Sequence, residues 1–153
     1  MAASLKHFPS QWNFPVARPA ACWHIGPMPL EWTVDPEKRA MTAVATGDVT
    51  RVEADAYLDA ILANAAQGFR KLFDASHAHT TMNAEDLLAL GLRMRSMHFE
   101  GPMGPLAIVV PENAGEPIER MLGMLAAADR PMRLFVDLTR ARRWFADQVP
   151  NTL

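Results

Sequence analysis

The stretch that decides the fold begins Phe69, Arg70, Lys71, Leu72, Phe73, Asp74. It continues through Ser76, His77, His79, Thr80 and Thr81 into an apolar-striped segment at residues 83–97. A run of strand length, apolar at its centre, gives way to a polar loop. The loop gives way to a segment in which Leu87, Leu90, Gly91, Met94 and Met97 line one side at helical spacing, with Leu88 and Leu92 beside them. Strand, loop and helix in that order are half of a parallel crossover. Ligands and partners meet an open α/β sheet at the carboxyl ends of its strands, so residues 76–81 are the expected working surface.

Upstream, residues 31–34 read as a short strand and 41–45 as a second. The turn between them is Asp35, Pro36, Glu37, Lys38, with Pro36 suited to its second position. Thr50 and Glu53 are spaced as a capping box at the start of a helix. Ala54, Tyr57, Leu58, Ile61, Leu62 and Ala65 form its buried face, and Gly68 is the expected left-handed stop. Downstream, Gly101, Pro102, Gly104 and Pro105 mark a loop that carries Phe99 and Met103. The uninterrupted apolar run at 106–110 fits a strand covered on both faces. Pro117 opens a third helix with Ile118, Met121, Leu122 and Leu125 inward, residues 133–136 form the last strand, and 138–145 the last helix. The order β-β-α-β-α-β-α-β-α predicts an α/β domain: a hairpin, then parallel strands joined by right-handed crossovers.

The 153 residues suffice for one domain with a real core. Fifteen Lys and Arg against 17 Asp and Glu give no global attraction to nucleic acid or an anionic membrane. The single Cys22 excludes an internal disulfide framework and a cysteine-built zinc site. No apolar run approaches the roughly 20 residues that span a bilayer, and no secretory signal is legible, so a cytoplasmic location is expected. Residues 1–29 are unlike the rest: Pro9, Pro15, Pro19, Pro27 and Pro29 interrupt any period. They read as a flexible arm, as translation from a codon upstream of a true start at Met28, or as an arm packed on a neighbouring subunit. Residues 148–153 read as a tail.

Among chemistry-bearing residues, His77 and His79 form a His-x-His pair that Asp74 could complement, but a structural metal site needs about four ligands and exposed loop histidines are the expectation. Asp74, Ser76 and His77 are the types of a hydrolytic triad crowded into one loop, without a Gly-x-Ser-x-Gly elbow. No catalytic residue, metal or cofactor is therefore assigned. The hydroxyls and backbone N–H groups of residues 76–81 suit an anion at a helix start, so Asp74, Ser76, His77, His79, Thr80 and Thr81 are the ligand-binding candidates. Glu85 and Asp86 already complement that helix end. Arg130, Arg133, Arg140, Arg142 and Arg143 read as a solvated basic end. Met97, Phe99 and Met103, at a helix end and in a Gly/Pro loop, are the partner-binding candidates, with a homodimer as the simplest partner.

Several local patterns resemble the STAS-like superfamily, in particular stand-alone SpoIIAA-like proteins of bacteria. They are Gly47, Asp48, Val49 and Thr50 opening the first helix, Leu72, Phe73 and Asp74 ending a strand, and the strand at 106–110. Phe135, Val136 and Asp137, followed by Ala141, Arg142, Arg143, Trp144 and Phe145, complete the likeness over residues 30–147. The resemblance implies a four- or five-stranded sheet flanked by about four helices. It implies a non-enzymatic binding or regulatory module acting through protein contacts, self-association included. A binder of a small anion, nucleotide or lipid, or a weak hydrolase, is the alternative. Antagonists in this superfamily carry a phosphorylatable serine in an Asp-Ser-Ser-Gly-like motif opening the second helix. Here Asn83, Ala84, Glu85 and Asp86 stand there, so no phosphoswitch is expected.

Overall fold

The computed structural model describes residues 28–116, 118 and 130–150. Leu30–Asp35 (β1) and Ala40–Asp48 (β2) form the antiparallel hairpin. The Asp35 carboxylate accepts the Lys38 N–H at 3.0 Å, and the Arg39 N–H reaches the Pro36 carbonyl at 3.3 Å. After it come α1 (Arg51–Ala63), β3 (Arg70–His79), α2 (Ala84–Glu100), β4 (Leu106–Val109), β5 (Met132–Phe135) and α3 (Leu138–Asp147). The five strands lie side by side in chain order, β2 to β5 all parallel. Lys71 pairs with Leu106, so the two strands that had to be parallel neighbours are. The helix expected from Pro117, with Met121, Leu122 and Leu125, lies outside the described residues apart from Ile118; so does the arm before Met28.

Alternation divides the sheet into two faces. Met41, Ala43 and Ala45 of β2, with Leu30 of β1, pack against Tyr57, Leu58 and Ile61 of α1 and Leu90 and Met97 of α2. Leu72, Ala107 and Val109 point the other way, onto Ala141 of α3 with Leu138, Trp144 and Phe145 around it. Successive parallel crossovers running in one direction bring α1 and α2 to the same face. Arg93 of α2 ties them together, donating to Asp55 of α1 at 2.6 Å and also to Asp59. On the opposite face Arg70 closes α3: its Nη1 donates to the Phe145, Ala146 and Gln148 carbonyls at 3.3, 3.0 and 3.4 Å, a cation placed on a helix C-terminus.

Local chemistry explains where the elements begin and end. The capping box of α1 forms, with the Glu53 carboxylate accepting the Thr50 N–H at 2.8 Å. Asn83 caps α2 by accepting the Asp86 N–H at 2.8 Å, and Asp137 caps α3 through the N–H groups of Thr139 and Arg140. Helix α1 stops earlier than Gly68, at Ala63. The left-handed residue is Ala65 (φ 49°), whose N–H bonds the Leu62 carbonyl while the Ala66 N–H bonds that of Ile61 at 2.8 Å. Ala66 is then buried beside Ile61, and that apolar contact offsets the strain of a left-handed alanine.

Strand β3 also runs further than its apolar centre, to His79, so Ser76, His77 and His79 belong to a strand and not to a loop. The register shifts here: Val44 faces Asp74, but Thr46 faces His77. The extra residue on β3 is a β-bulge. Asp74 stabilises it by accepting the Ser76 N–H at 3.0 Å and the Ser76 hydroxyl at 2.6 Å. Before the bulge Lys71, Phe73 and Ala75 point towards α1 and α2; after it Ala78 does, and His77 is left in solvent.

A candidate ligand cavity

Between the sheet and the helices α1 and α2 lies a cavity of about 390 Å³, within the range that small-molecule sites occupy. Its lining is mostly apolar, with Leu106 and Ile108 from β4, Leu90 and Met94 from α2 and Phe73 from β3. Its polar side chains among the described residues are Lys71, His79, Arg95, His98 and Arg130, which are basic, with Tyr57, Thr80 and Asn113. Lys71 is 1 % exposed, and its ammonium donates to the Gln67 carbonyl at 2.7 Å and the Phe69 carbonyl at 2.8 Å. Two of its three donors are thus used, and among the described residues no carboxylate pairs with it. Burial pushes its pKa down to about 7, and the Arg130 guanidinium lowers it further in the same sense. Arg130 is itself pushed down to about 10 by burial, the Tyr57 phenol opposing that fall. Tyr57 is held above the ordinary phenol range by burial, its hydroxyl has no hydrogen-bond partner among the described residues, and its ring meets Trp32 and Phe73 edge-on at 5.9 and 5.3 Å.

The chain direction places these groups. Lys71 and Arg130 stand at the amino ends of parallel strands, where Lys71 pairs with Leu106 and Leu106 with Met132. His98, whose buried Nδ1 is also unpartnered, comes to that end at the close of α2. The opposite mouth, at the carboxyl ends, is lined by His79, Thr80 and Pro111.

Of the six ligand-binding candidates, His79 and Thr80 line this cavity, and Asp74, Ser76, His77 and Thr81 do not. Asp74 and Ser76 bond each other on the opposite face of the sheet, and His77 bonds neither, so the three do not form a relay. Thr80 donates to the Val49 carbonyl at 2.7 Å, and both oxygens of Asp48 accept from Thr81 at 2.9 Å, stitching the ends of β2 and β3 together. Among the described residues no group of His, Cys, Asp and Glu could hold a metal ion. The partner-binding candidates separate: Met97 and Met103 are buried in their own core, and Phe99 is 83 % exposed. A helix end and a Gly/Pro loop therefore do not present one apolar patch, because the loop folds back against β3. Gly104 donates to the Gln67 carbonyl at 2.8 Å and brings Met103 inward with it. No helix among the described residues is long and apolar enough to cross a membrane.

No family model matches the chain, and no curated protein matches it either. The cavity must be read from its own residues.

Lys71, Arg130 and Tyr57 were absent from the sequence-based candidates, although signals existed. Lys71 shares its strand parity with Phe69 and Phe73, two apolar residues of one face, so a cation there had to be buried. Tyr57 was assigned to the core face of α1, which is correct for its ring and says nothing of its hydroxyl. Arg130 belongs to the arginine-rich stretch expected to be solvated, but unlike Arg140, Arg142 and Arg143 it is half-buried and lines the cavity.

Proposed function

We propose that the protein is a non-enzymatic binding module whose ligand is a small, largely apolar molecule held between the sheet and helices α1 and α2. The carrying observation is the 390 Å³ cavity with a predominantly apolar lining and a few buried polar groups at its ends. Close packing leaves few voids larger than a water molecule, so a cavity of this size suits an occupant. A cavity of this kind favours a small ligand over protein contacts. It also moves the site from Asp74, Ser76, His77 and Thr81 to the opposite face of the sheet. A SpoIIAA-like fold remains part of the reading, with the hairpin edge and the sequential parallel strands in its support, and a cytoplasmic location and a regulatory output are retained from the sequence alone.

Native mass spectrometry of protein purified from its own host tests it. The expected result is one small molecule per chain, released on denaturation and rebound by the stripped protein. A bare mass from the host, with no uptake of apolar small molecules afterwards, would contradict it.

A second reading, contact with a protein partner or a second copy, rests on α2. Leu88, Leu92 and Phe99 are 50, 55 and 83 % exposed, and their spacing of four and then seven residues puts them on one stripe. Replacing Leu88 and Leu92 with serine should then lower the solution mass or abolish partner binding while small-molecule binding persists.

A further inference from the structure

We propose that the ligand is a carboxylic acid with an apolar body, its carboxylate seated among Lys71, Arg130 and the Tyr57 hydroxyl and its body lying along Leu106 and Ile108. This rests on the proposed cavity reading and specifies its chemistry.

The titratable groups that line the cavity are Tyr57 from α1, Lys71 and His79 from β3, Arg95 and His98 from α2, and Arg130 ahead of β5. Among the described residues none of the lining groups is a carboxylate. A buried cation is normally paired, because leaving it alone in a low-dielectric site costs far more than an exposed one. Here two cations share one cavity, and no salt bridge to either is formed among the described residues. When both are protonated they repel each other, and an anion seated between them relieves that repulsion while keeping the Lys71 proton in place. The remaining Lys71 donor, the Arg130 guanidinium and the unpartnered Tyr57 O–H supply donors to the two oxygens of one carboxylate. A fully solvated anion would not suit the rest of the lining, which is apolar from Phe73 through Leu106 and Ile108 to Val110. An apolar body fills that part and excludes water from the charged end, which strengthens each charged contact.

The pairing carries a proton signature. With no anion beside it, Lys71 titrates at about 7 and is mostly neutral somewhat above that. A bound anion favours the ammonium, so at about pH 8 each anion bound brings up to one proton with it. A neutral ligand of the same shape brings none.

The test is calorimetric titration of the full chain with decanoate and with decanol at about pH 8, repeated in buffers of different ionisation enthalpy to count protons. Decanoate should bind at least about tenfold more tightly than decanol, with net proton uptake, since charged hydrogen bonds are stronger than neutral ones. Arg130→Gln should weaken decanoate about tenfold and decanol far less. Tyr57→Phe, which keeps the ring, should show the same bias more weakly and serves if Arg130→Gln does not fold. If decanol binds as well as decanoate and no proton is taken up, the carboxylate assignment is overturned while the cavity reading stands. If neither binds, both are overturned.

Discussion

Lys71 concentrates the electrostatic consequences of this fold in one side chain. Its pKa is about 7 in the folded protein, against about 10.5 in an unfolded chain. Between those values the unfolded chain holds a proton that the folded protein has lost, so stability rises with pH, by at most about 1.4 kcal/mol per unit. Below about 7 both states are protonated and the slope vanishes. Chemical denaturation between about pH 7 and 9, below the range in which Arg130 titrates, should show this rise in the wild type and a flat profile in Lys71→Met. Ala65 carries a different local cost. Alanine in the left-handed region is strained by roughly 1 kcal/mol, and the bonds it organises from Leu62 and Ile61 do not need its methyl group. Ala65→Gly should therefore raise stability by up to about 1 kcal/mol, read as a higher melting temperature. Asp74 behaves in the opposite way. Removing its carboxylate by Asp74→Ala leaves the Ser76 N–H unpaired at the bulge and should lower stability by about 1–3 kcal/mol without touching the cavity.

At the scale of elements, periodicity and caps were legible and close approaches were not. Thr50 with Glu53, the apolar stripe of Tyr57, Leu58 and Ile61, and the uninterrupted run at 106–110, of which 106–109 form β4, each signal one backbone state by local chemistry. The end of α1 was misplaced because Gly68 is the better left-handed residue on intrinsic grounds. Burial of Ala66 against Ile61 decides instead for Ala65, a tertiary effect that local propensity does not carry. The carboxyl half of β3 was read as a loop because Ser76, His77 and His79 lack strand-forming side chains. Pairing with Thr46, Gly47 and Asp48 of β2, and the Asp74 bond across the bulge, hold it in the sheet. The same bulge inverts the side-chain parity, so no two-residue alternation could tell that Ala78 faces inward and His77 outward. Loop packing was equally hidden. A Cβ on Gly104 would stand 2.2 Å from the Phe69 carbonyl oxygen and 2.4 Å from that of Gly68, both backbone atoms. Gly104→Ala should therefore push the 101–105 loop away from the Gln67 and Phe69 carbonyls that hold Lys71. The expected outcome is a lower melting temperature with faster amide exchange at Lys71 and Leu106, whereas Gly101→Ala, with open space around it, should leave both unchanged.

For the whole molecule, the asymmetry between the two sheet faces is the organising fact. Helix α3 packs over β3 to β5 with filled contacts from Leu72, Ala107, Val109 and Ala141, while the face under α1 and α2 encloses the cavity. The sequence led to the first face, through Asp74, Ser76 and His77, because clustered polar types are visible in a linear chain. Convergence of Tyr57, Lys71 and Arg130, which come from three separate parts of the chain, is a product of topology and is visible only once the strands are ordered. The central claim is that the cavity binds a small apolar ligand. Methyl NMR during titration with decanoate tests it most directly, because cavity and surface methyls report separately. Saturable shifts at Ile61, Leu90, Leu106 and Ile108, with Val44 and Leu134 on exposed parts of the sheet unmoved, are the predicted result. Shifts confined to Leu88 and Leu92 on the outer stripe of α2, or none that saturate, would contradict it.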